Sequence, residues 1–197
     1  MVLHSFTVTD DMADLKILSV CGSLRKGSYN RMVMNLAAQV APSDLKLEEA
    51  TIRDLPFFDG DEFAKGFPPS VAAFRDKVRA ADGLFFFSPE YNFSLSAVMK
   101  NAIDWASRGA DQPFAHKPVS VISATMGPLG GARVQYELRK ILQLLQVHFM
   151  PRPETFVGTA QTKFDAEGHC TDEATRKFVT EHMTAFRDWV LRVRKMA

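Results

Sequence analysis

Gly83-Leu84-Phe85-Phe86-Phe87 is apolar at every position. A run that short cannot form a helix of useful length, and with no polar alternation it fits a β-strand covered on both faces. Leu15-Lys16-Ile17-Leu18-Ser19-Val20-Cys21 and Pro118-Val119-Ser120-Val121-Ile122-Ser123 read the same way. Strands covered twice need a layer of helices above the sheet and another below. The segments between the runs supply them. Residues 32–38 follow the first strand as a helix. In 68–81, Val71, Phe74 and Val78 fall three and four apart, and the two prolines suit the first turn. Residues 95–107 form another helix. Along 131–146, Val134, Leu138, Ile141, Leu142 and Leu145 make one stripe. The long segment 172–194 is expected to bury Phe178, Val179, Phe186, Val190 and Val193. Residues 45–52 are a further strand. The last strand lies within 149–157, and Pro151 and Pro153 interrupt it in a way that suits a sheet edge.

Alternating strands and helices call for a parallel sheet with helices on both faces. The expected fold class is α/β: a flavodoxin-like three-layer sandwich whose five-stranded parallel sheet has the order 2-1-3-4-5. One domain over 15–197, preceded by a flexible extension over 1–14, accounts for all 197 residues.

Charge excludes some functions. The 24 basic and 23 acidic side chains leave a net charge of +1, without the basic excess of a nucleic-acid surface. No apolar stretch approaches the ~20 residues of a membrane span, so neither nucleic acid nor a membrane is an expected partner. The first residues have no basic start and no apolar core, unlike a secretory signal. Cys21 and Cys170 are too far apart in sequence for a metal-binding pair, and two free thiols suit a cytoplasmic protein. Cys21, at a strand end, reads as a small core residue, with a catalytic thiol as the sharper alternative. His4, His116, His148, His169 and His182 are scattered. None reads as catalytic or as a metal ligand, and His116 is a candidate ligand contact.

In a doubly wound sheet, ligands bind beyond the carboxyl ends of the strands. Three loops should meet there: 22–30, 88–94 and 123–131. The first, within GSLRKGSYNR, links a strand to a helix and is dense in hydroxyls, amides and cations. Backbone N–H groups at a helix N-terminus lack internal partners and favour an anion. The loop is neither a Walker sequence nor Gly-x-Gly-x-x-Gly, and it suits a monophosphate ester. Ser23, Ser28 and Asn30 add neutral donors and Arg25 adds charge. The plainer reading makes Ser28 or Asn30 a helix cap. In the second loop, SPEYNF, Pro89 imposes an extended entry, and Tyr91 and Asn92 could meet a flat heterocycle. Glu90 is alternatively a solvated turn charge, and Trp105 a core or subunit-contact residue. The third loop, SATMGPLGGAR, has Gly127, Gly130 and Gly131, which let backbone approach a ligand or simply make a turn.

GSLRKGSYN, PEYNFSLSAVMKNAIDW and SATMGPLGGARVQYELR, in this order, resemble the NADPH-dependent FMN reductase family, in particular its chromate- and quinone-reducing branch. The resemblance runs from about Lys16 to about Val157. It implies non-covalently bound FMN, NAD(P)H as co-substrate, and transfer of hydride through the flavin to quinone, azo, flavin or chromate acceptors. It assigns Ser23, Arg25, Ser28 and Asn30 to the FMN phosphate and ribityl chain. Pro89, Glu90, Tyr91 and Asn92 would run along the isoalloxazine, and Ser123, Gly127, Gly130 and Gly131 would lie near its pyrimidine end. No protein side chain is required as acid or base, because the flavin carries the hydride. The resemblance also implies a homodimer or homotetramer, with Arg133, Tyr136 and Glu154 at a contact between dimers. Phe93 stands where the family's fourth contact residue is usually a tyrosine, which bears on the tetramer and not on the flavin. Arg25, Lys26, Arg108 and Lys117 are the cations available to a 2′-phosphate. A flavodoxin-like electron carrier without its own substrate is the main alternative, but such carriers tend to be acidic. A non-redox nucleotide-binding module is a third reading.

Overall fold

The computed structural model describes residues 14–196, so the extension expected over 1–14 lies, except for Asp14, outside them. The strands are β1 (Leu15–Cys21), β2 (Leu45–Ala50), β3 (Gly83–Phe87), β4 (Pro118–Ala124), β5 (His148–Phe149) and β6 (Thr155–Val157). The helices are α1 (Tyr29–Val40), α2 (Gly60–Phe63), α3 (Pro69–Ala80), α4 (Ala97–Ala106), α5 (Ala132–Leu144) and α6 (Glu173–Arg194). The sheet is parallel, with the order β2-β1-β3-β4-β5, and β6 also pairs with β4. The fifth position is therefore shared. β5 lies against Pro118 and Val119 and β6 against Ile122 to Ala124. Pro151 and Pro153 fall in the gap, where a residue without an N–H cannot continue a ladder.

The Phe85–Phe87 run divides between the two faces as full coverage requires. Phe86 joins a core with Leu18, Val20, Val121, Val134 and Leu138 on the α3–α4–α5 side. Phe85 and Phe87 join Ile17, Val33, Ile122 and Phe186 on the α1–α6 side. The Phe85 ring meets Phe186 edge-on at 4.9 Å, a geometry that adds to the ~2–3 kcal/mol gained by burying a phenyl side chain.

α6 differs from expectation. Phe178 is 57% exposed, and Thr175, Val179, His182, Met183, Phe186, Val190 and Val193 form the inward stripe. Phe178 stands one residue, about 100°, off that stripe. His182 faces inward because it has polar partners there: Ser120 Oγ lies 2.7 Å from Nε2 and Thr155 Oγ1 2.8 Å from Nδ1. Trp105 is fully buried, and its indole N–H donates to the Pro56 carbonyl at 2.7 Å, which makes it a core residue. The short α2 gave no sequence signal.

Candidate functional site

Parallel strands bring all their carboxyl ends to one edge, and the three loops 22–30, 88–94 and 123–131 meet there. Gly22 N–H donates to the Phe87 carbonyl at 2.9 Å. Ser96 caps α4 by accepting from Met99 N–H, and its own hydroxyl donates to the Gly22 carbonyl at 2.6 Å. A Cβ on Gly22 would lie 2.9 Å from the Met99 methyl, 3.0 Å from the Pro89 ring and 3.2 Å from the Ser96 hydroxyl, so the glycine eases the close approach of these two loops.

Asn30 joins the first loop to the third. Its Nδ2 donates to the Ala124 carbonyl at 2.8 Å, and its Oδ1 accepts from Ala124 N–H at 2.9 Å. The side chain is buried and both ends of the amide are engaged, so Asn30 offers a ligand its backbone and its positioning effect rather than a free side-chain donor. Asn30→Asp keeps the acceptor but sets a carboxylate oxygen against the Ala124 carbonyl. A loss of about 2 kcal/mol is expected in urea unfolding; an unchanged midpoint would show that the two hydrogen bonds contribute little.

Ser28 is the N-cap of α1, accepting from Arg31 N–H at 3.4 Å, and no acidic residue occupies the first turn of that helix. Ser23 is buried beside it. Arg25 is exposed, donates to the Gly27 carbonyl and lies 5.5 Å from the centroid of the Tyr29 ring. The capping role and the anion-binding role coexist here, because the cap leaves the N–H groups of Tyr29 and Asn30 free. Burial pushes the Cys21 thiol above its ordinary value, which keeps it protonated and fits the core reading.

The second loop turns at Tyr91–Ser94, whose backbones exchange two hydrogen bonds of 3.0 Å. Asn92 (φ 50°) and Phe93 (φ 69°) fill the two central positions in the left-handed region. Asn tolerates that region, but a Phe there is strained. The turn leaves Tyr91 51% and Phe93 68% exposed at the site. Glu90 is not a solvated turn charge, for its side chain is only 11% exposed. One carboxylate oxygen accepts from Val134 N–H at 3.1 Å and the other lies 3.0 Å from Arg133 Nε. The Nε–H is not aligned on that oxygen, so the second contact is coulombic. Gly131, the N-cap of α5, has no side chain to offer, and Glu90 replaces it from another loop while favouring the positive end of the helix. Arg133 then stacks over the Phe93 ring, 3.9 Å from its centroid.

In the third loop, Gly130 (φ 60°) and Gly131 (φ 83°) need their conformational freedom. Ser123 Oγ donates to the Gly130 carbonyl at 2.6 Å. Gly127 has no neighbour close to the Cβ it lacks, with only Thr125 Oγ1 at 4.0 Å. The loop is tied down by Gly158, where a Cβ would collide with the Pro128 backbone, and by Thr159 N–H on the Gly127 carbonyl at 3.2 Å. Sequence reasoning missed Gly158. Its signal was a glycine directly after the last strand.

An open cleft of about 440 Å³ lies between the second and third loops, with Glu90, Gly127, Leu129, Gly131 and Arg133 on its walls. A cleft of similar size between β2 and α3, with Glu49, Asp54 and Lys77, touches none of the three loops and mixes acids with a single lysine, so it is not the anion site. His116, the candidate ligand contact, precedes β4 and therefore lies at the amino edge, away from the cleft, because a parallel strand separates its two ends. Lys117 lies there too, donating to the Arg79 and Ala81 carbonyls. Arg108 follows the C-terminus of α4, a helix that starts at the carboxyl edge and runs away from it. Of the four cations, only Arg25 and Lys26 remain beside the site.

A doubly wound sheet with an anion-accepting helix start and an open cleft at its carboxyl edge defines a flavodoxin-like protein built for a phosphorylated, flat ligand. The family model for NADPH-dependent FMN reductase matches residues 15–162, and the chain belongs to that family. It is 44% identical over 181 residues to an NAD(P)H-dependent FMN reductase of Pseudomonas aeruginosa, covering 92% of this chain and 98% of that one. It is 42% identical over 183 residues to a quinone reductase of Escherichia coli K12, covering 91% and 97%. The solved structure of FerB, a flavoenzyme NAD(P)H:(acceptor) oxidoreductase from Paracoccus denitrificans, superposes with a TM-score of 0.84 at 33% identity, covering 90% of this chain and 98% of that one.

Proposed function

We propose that this chain is an FMN-dependent NAD(P)H oxidoreductase that passes reducing equivalents to quinones and related acceptors. The observation that carries the reading is the joining of three loops into one wall beside the free N-terminus of α1. The residues fit the group: α1 offers unpartnered N–H groups and has no acidic residue in its first turn, the nearby Glu49 carboxylate is neutralised by Arg31 at 2.7 Å, and the cleft beside Gly127 has no side chain filling it.

In this reading Ser23, Arg25, Ser28 and the Asn30 backbone hold the phosphate and ribityl chain. Pro89 to Asn92 run along the ring, and Gly127, Gly130 and Gly131, shaped by Ser123, face its pyrimidine end. Bound FMN supplies two-electron chemistry at its N5, taking hydride from a nicotinamide and giving it to an acceptor. The protein's part is to position and to exclude water. Glu90 fixes the second loop to α5, Asn30 fixes the first to the third, and exposed Tyr91 offers a flat face to an aromatic partner. Enclosed Ser and backbone donors on a phosphate contribute about 1.5–3 kcal/mol each, so they outweigh Arg25 while it remains exposed.

Self-association as a homodimer or homotetramer belongs to the same proposal. Tyr136 is 54% exposed on α5 and donates to Glu154 at 3.4 Å. Tyr91, Phe93, Met126, Leu129 and Tyr136 leave apolar surface around the cleft. Phe93 engages Arg133 through its ring, which takes the place of a hydroxyl contact. The free state of Cys21 and Cys170 supports a reducing, cytoplasmic setting.

The test is anaerobic addition of NADPH to the flavin-loaded protein. Loss of the oxidised-flavin absorbance, and its return on adding a benzoquinone, is the expected result; a spectrum unmoved by NADPH would overturn the reading. Steady turnover without an added reductase separates an enzyme from an electron carrier. Arg25→Ala and Ser28→Ala should both weaken FMN retention, and unchanged affinity in both would reject the phosphate assignment.

A further inference from the structure

A buried polar chain ends at the third loop, and the family reading does not use it. Ser120 Oγ meets His182 Nε2, and His182 Nδ1 meets Thr155 Oγ1. Gln135 Nε2, on α5, donates to the Thr155 carbonyl at 2.8 Å and to Ser123 Oγ at 2.8 Å. The Ser123 hydroxyl donates to the Gly130 carbonyl at 2.6 Å, with the Gly131 carbonyl farther off at 3.2 Å. Ser120, His182, Gln135 and Ser123 are each no more than 1% exposed. Ser120 and Ser123 stand three residues apart on β4 and so face opposite sides of the sheet. The chain crosses at Thr155, which presents its hydroxyl to α6 and its carbonyl to α5.

The directions of the Gln135 bonds are fixed by chemistry. Thr155 O only accepts, so the Gln135 atom facing it must be the NH₂ group. Both amide protons are then engaged, and Oε1 is buried without a partner among the described residues. The amide is therefore held for its two donors. With its acceptor side filled by Gln135, the Ser123 hydroxyl turns its proton to Gly130. That bond draws the Gly130 carbonyl inward. In a trans peptide the N–H of the next residue points the opposite way. The Gly131 N–H makes no hydrogen bond among the described residues, and Gly131 lines the cleft.

We infer that the Gly131 N–H is a donor to the bound ligand and that Gln135, through Ser123, is the positioning residue that aims it. This rests on the FMN reading: the ligand atom is an electron-rich oxygen or nitrogen at the edge of the ring, where negative charge grows on reduction. Gln135 itself touches nothing in the cleft.

The test uses Gln135→Met, which keeps length and apolar bulk but donates nothing, and Gln135→Glu, which donates one proton when neutral and none when ionised. FMN affinity is measured by quenching of flavin fluorescence on the folded apo-protein, and the two-electron potential on the loaded protein. Other charges around the amide are the Glu90–Arg133 pair at the start of α5 and Arg139 with Glu154 one turn along, while neutral His182 sits behind Thr155. The wild-type chain, measured at each pH, controls for them and for the titration of FMN phosphate. Gln135→Met should bind FMN about tenfold more weakly, with a potential more negative than wild type. For Gln135→Glu, the ratio of its dissociation constant to that of wild type should rise about tenfold between pH 5.5 and pH 9. A folded Gln135→Met with wild-type affinity and potential overturns the inference. So does a Gln135→Met that binds more weakly at an unchanged potential, or a Gln135→Glu ratio that is flat with pH. A wild-type chain that takes up no FMN sinks the function reading and this inference together; wild-type uptake with indifferent Gln135 variants sinks the inference alone.

Discussion

Gly130→Ala should cost about 4 kcal/mol of stability, while Gly127→Ala, three residues earlier in the same loop, should leave the apo-protein within about 0.5 kcal/mol of wild type. Gly130 sits at φ 60°, where a residue with a Cβ is strained. The added Cβ would also stand 2.7 Å from the Phe156 carbonyl carbon and 2.8 Å from the Gly158 nitrogen, both backbone atoms that cannot swing aside. Moving them would disturb β6 and the pairing of Ser123 with Phe156. Gly127 has neither a positive φ nor a crowded Cβ position. Urea unfolding of the two apo-variants checks the contrast, and equal midpoints would refute it. The innocuous variant then becomes a probe of function. The Gly127 methyl would enter the cleft, so Gly127→Ala should weaken FMN binding with no loss of stability. If FMN bound the variant as tightly as wild type, Gly127 would not be part of the flavin wall.

That contrast marks how far a sequence can be read. The triplet of glycines was visible, but which of them the fold requires depends on Phe156 and Gly158, more than two dozen residues downstream. Strands and helices were legible because their signals are local: an unbroken apolar run for β3, apolar spacing for α3 and α5, prolines for the split edge. The meeting of the loops followed from topology alone, since parallel strands end at one edge. Side-chain employment was less legible. Asn30 and Ala124 are neighbours only in space, and so are Glu90 and Val134. The residues offered Asn30 as a donor and the resemblance set Glu90 along the ring, but nothing local showed that their side chains join the loops to one another. Phe178 failed for a related reason: hydrophobicity favoured it for the interior, but two hydroxyls already waited for His182.

That histidine should make the protein acid-sensitive well above the range where carboxylates titrate. Burial, with a smaller contribution from the Arg139 charge, pushes His182 from its ordinary 6.5 down to about 3. The folded value is depressed, so the folded state resists a proton that the unfolded chain accepts. Above pH 6.5 both states are neutral at this site and its stabilisation is fully present. As pH falls below 6.5 the unfolded chain charges first, and stability declines by up to about 1.4 kcal/mol per pH unit until the folded site itself titrates near pH 3. The total loss is roughly 5 kcal/mol, a large part of the margin of a typical domain. Asp44 and Asp172, whose carboxyls are held below their ordinary 3.8 by Arg187 and Thr175, add their own loss only at the acid end of this window. Between pH 6.5 and 4.5 the histidine should dominate. Urea unfolding of wild type should lose about 2–3 kcal/mol between pH 7 and pH 4.5. His182→Gln, which offers Ser120 and Thr155 an amide that does not titrate there, should be less stable at pH 7 and should lose much less on acidification, so that the two stability curves converge. Parallel curves would mean that the buried imidazole is not the group that senses the proton.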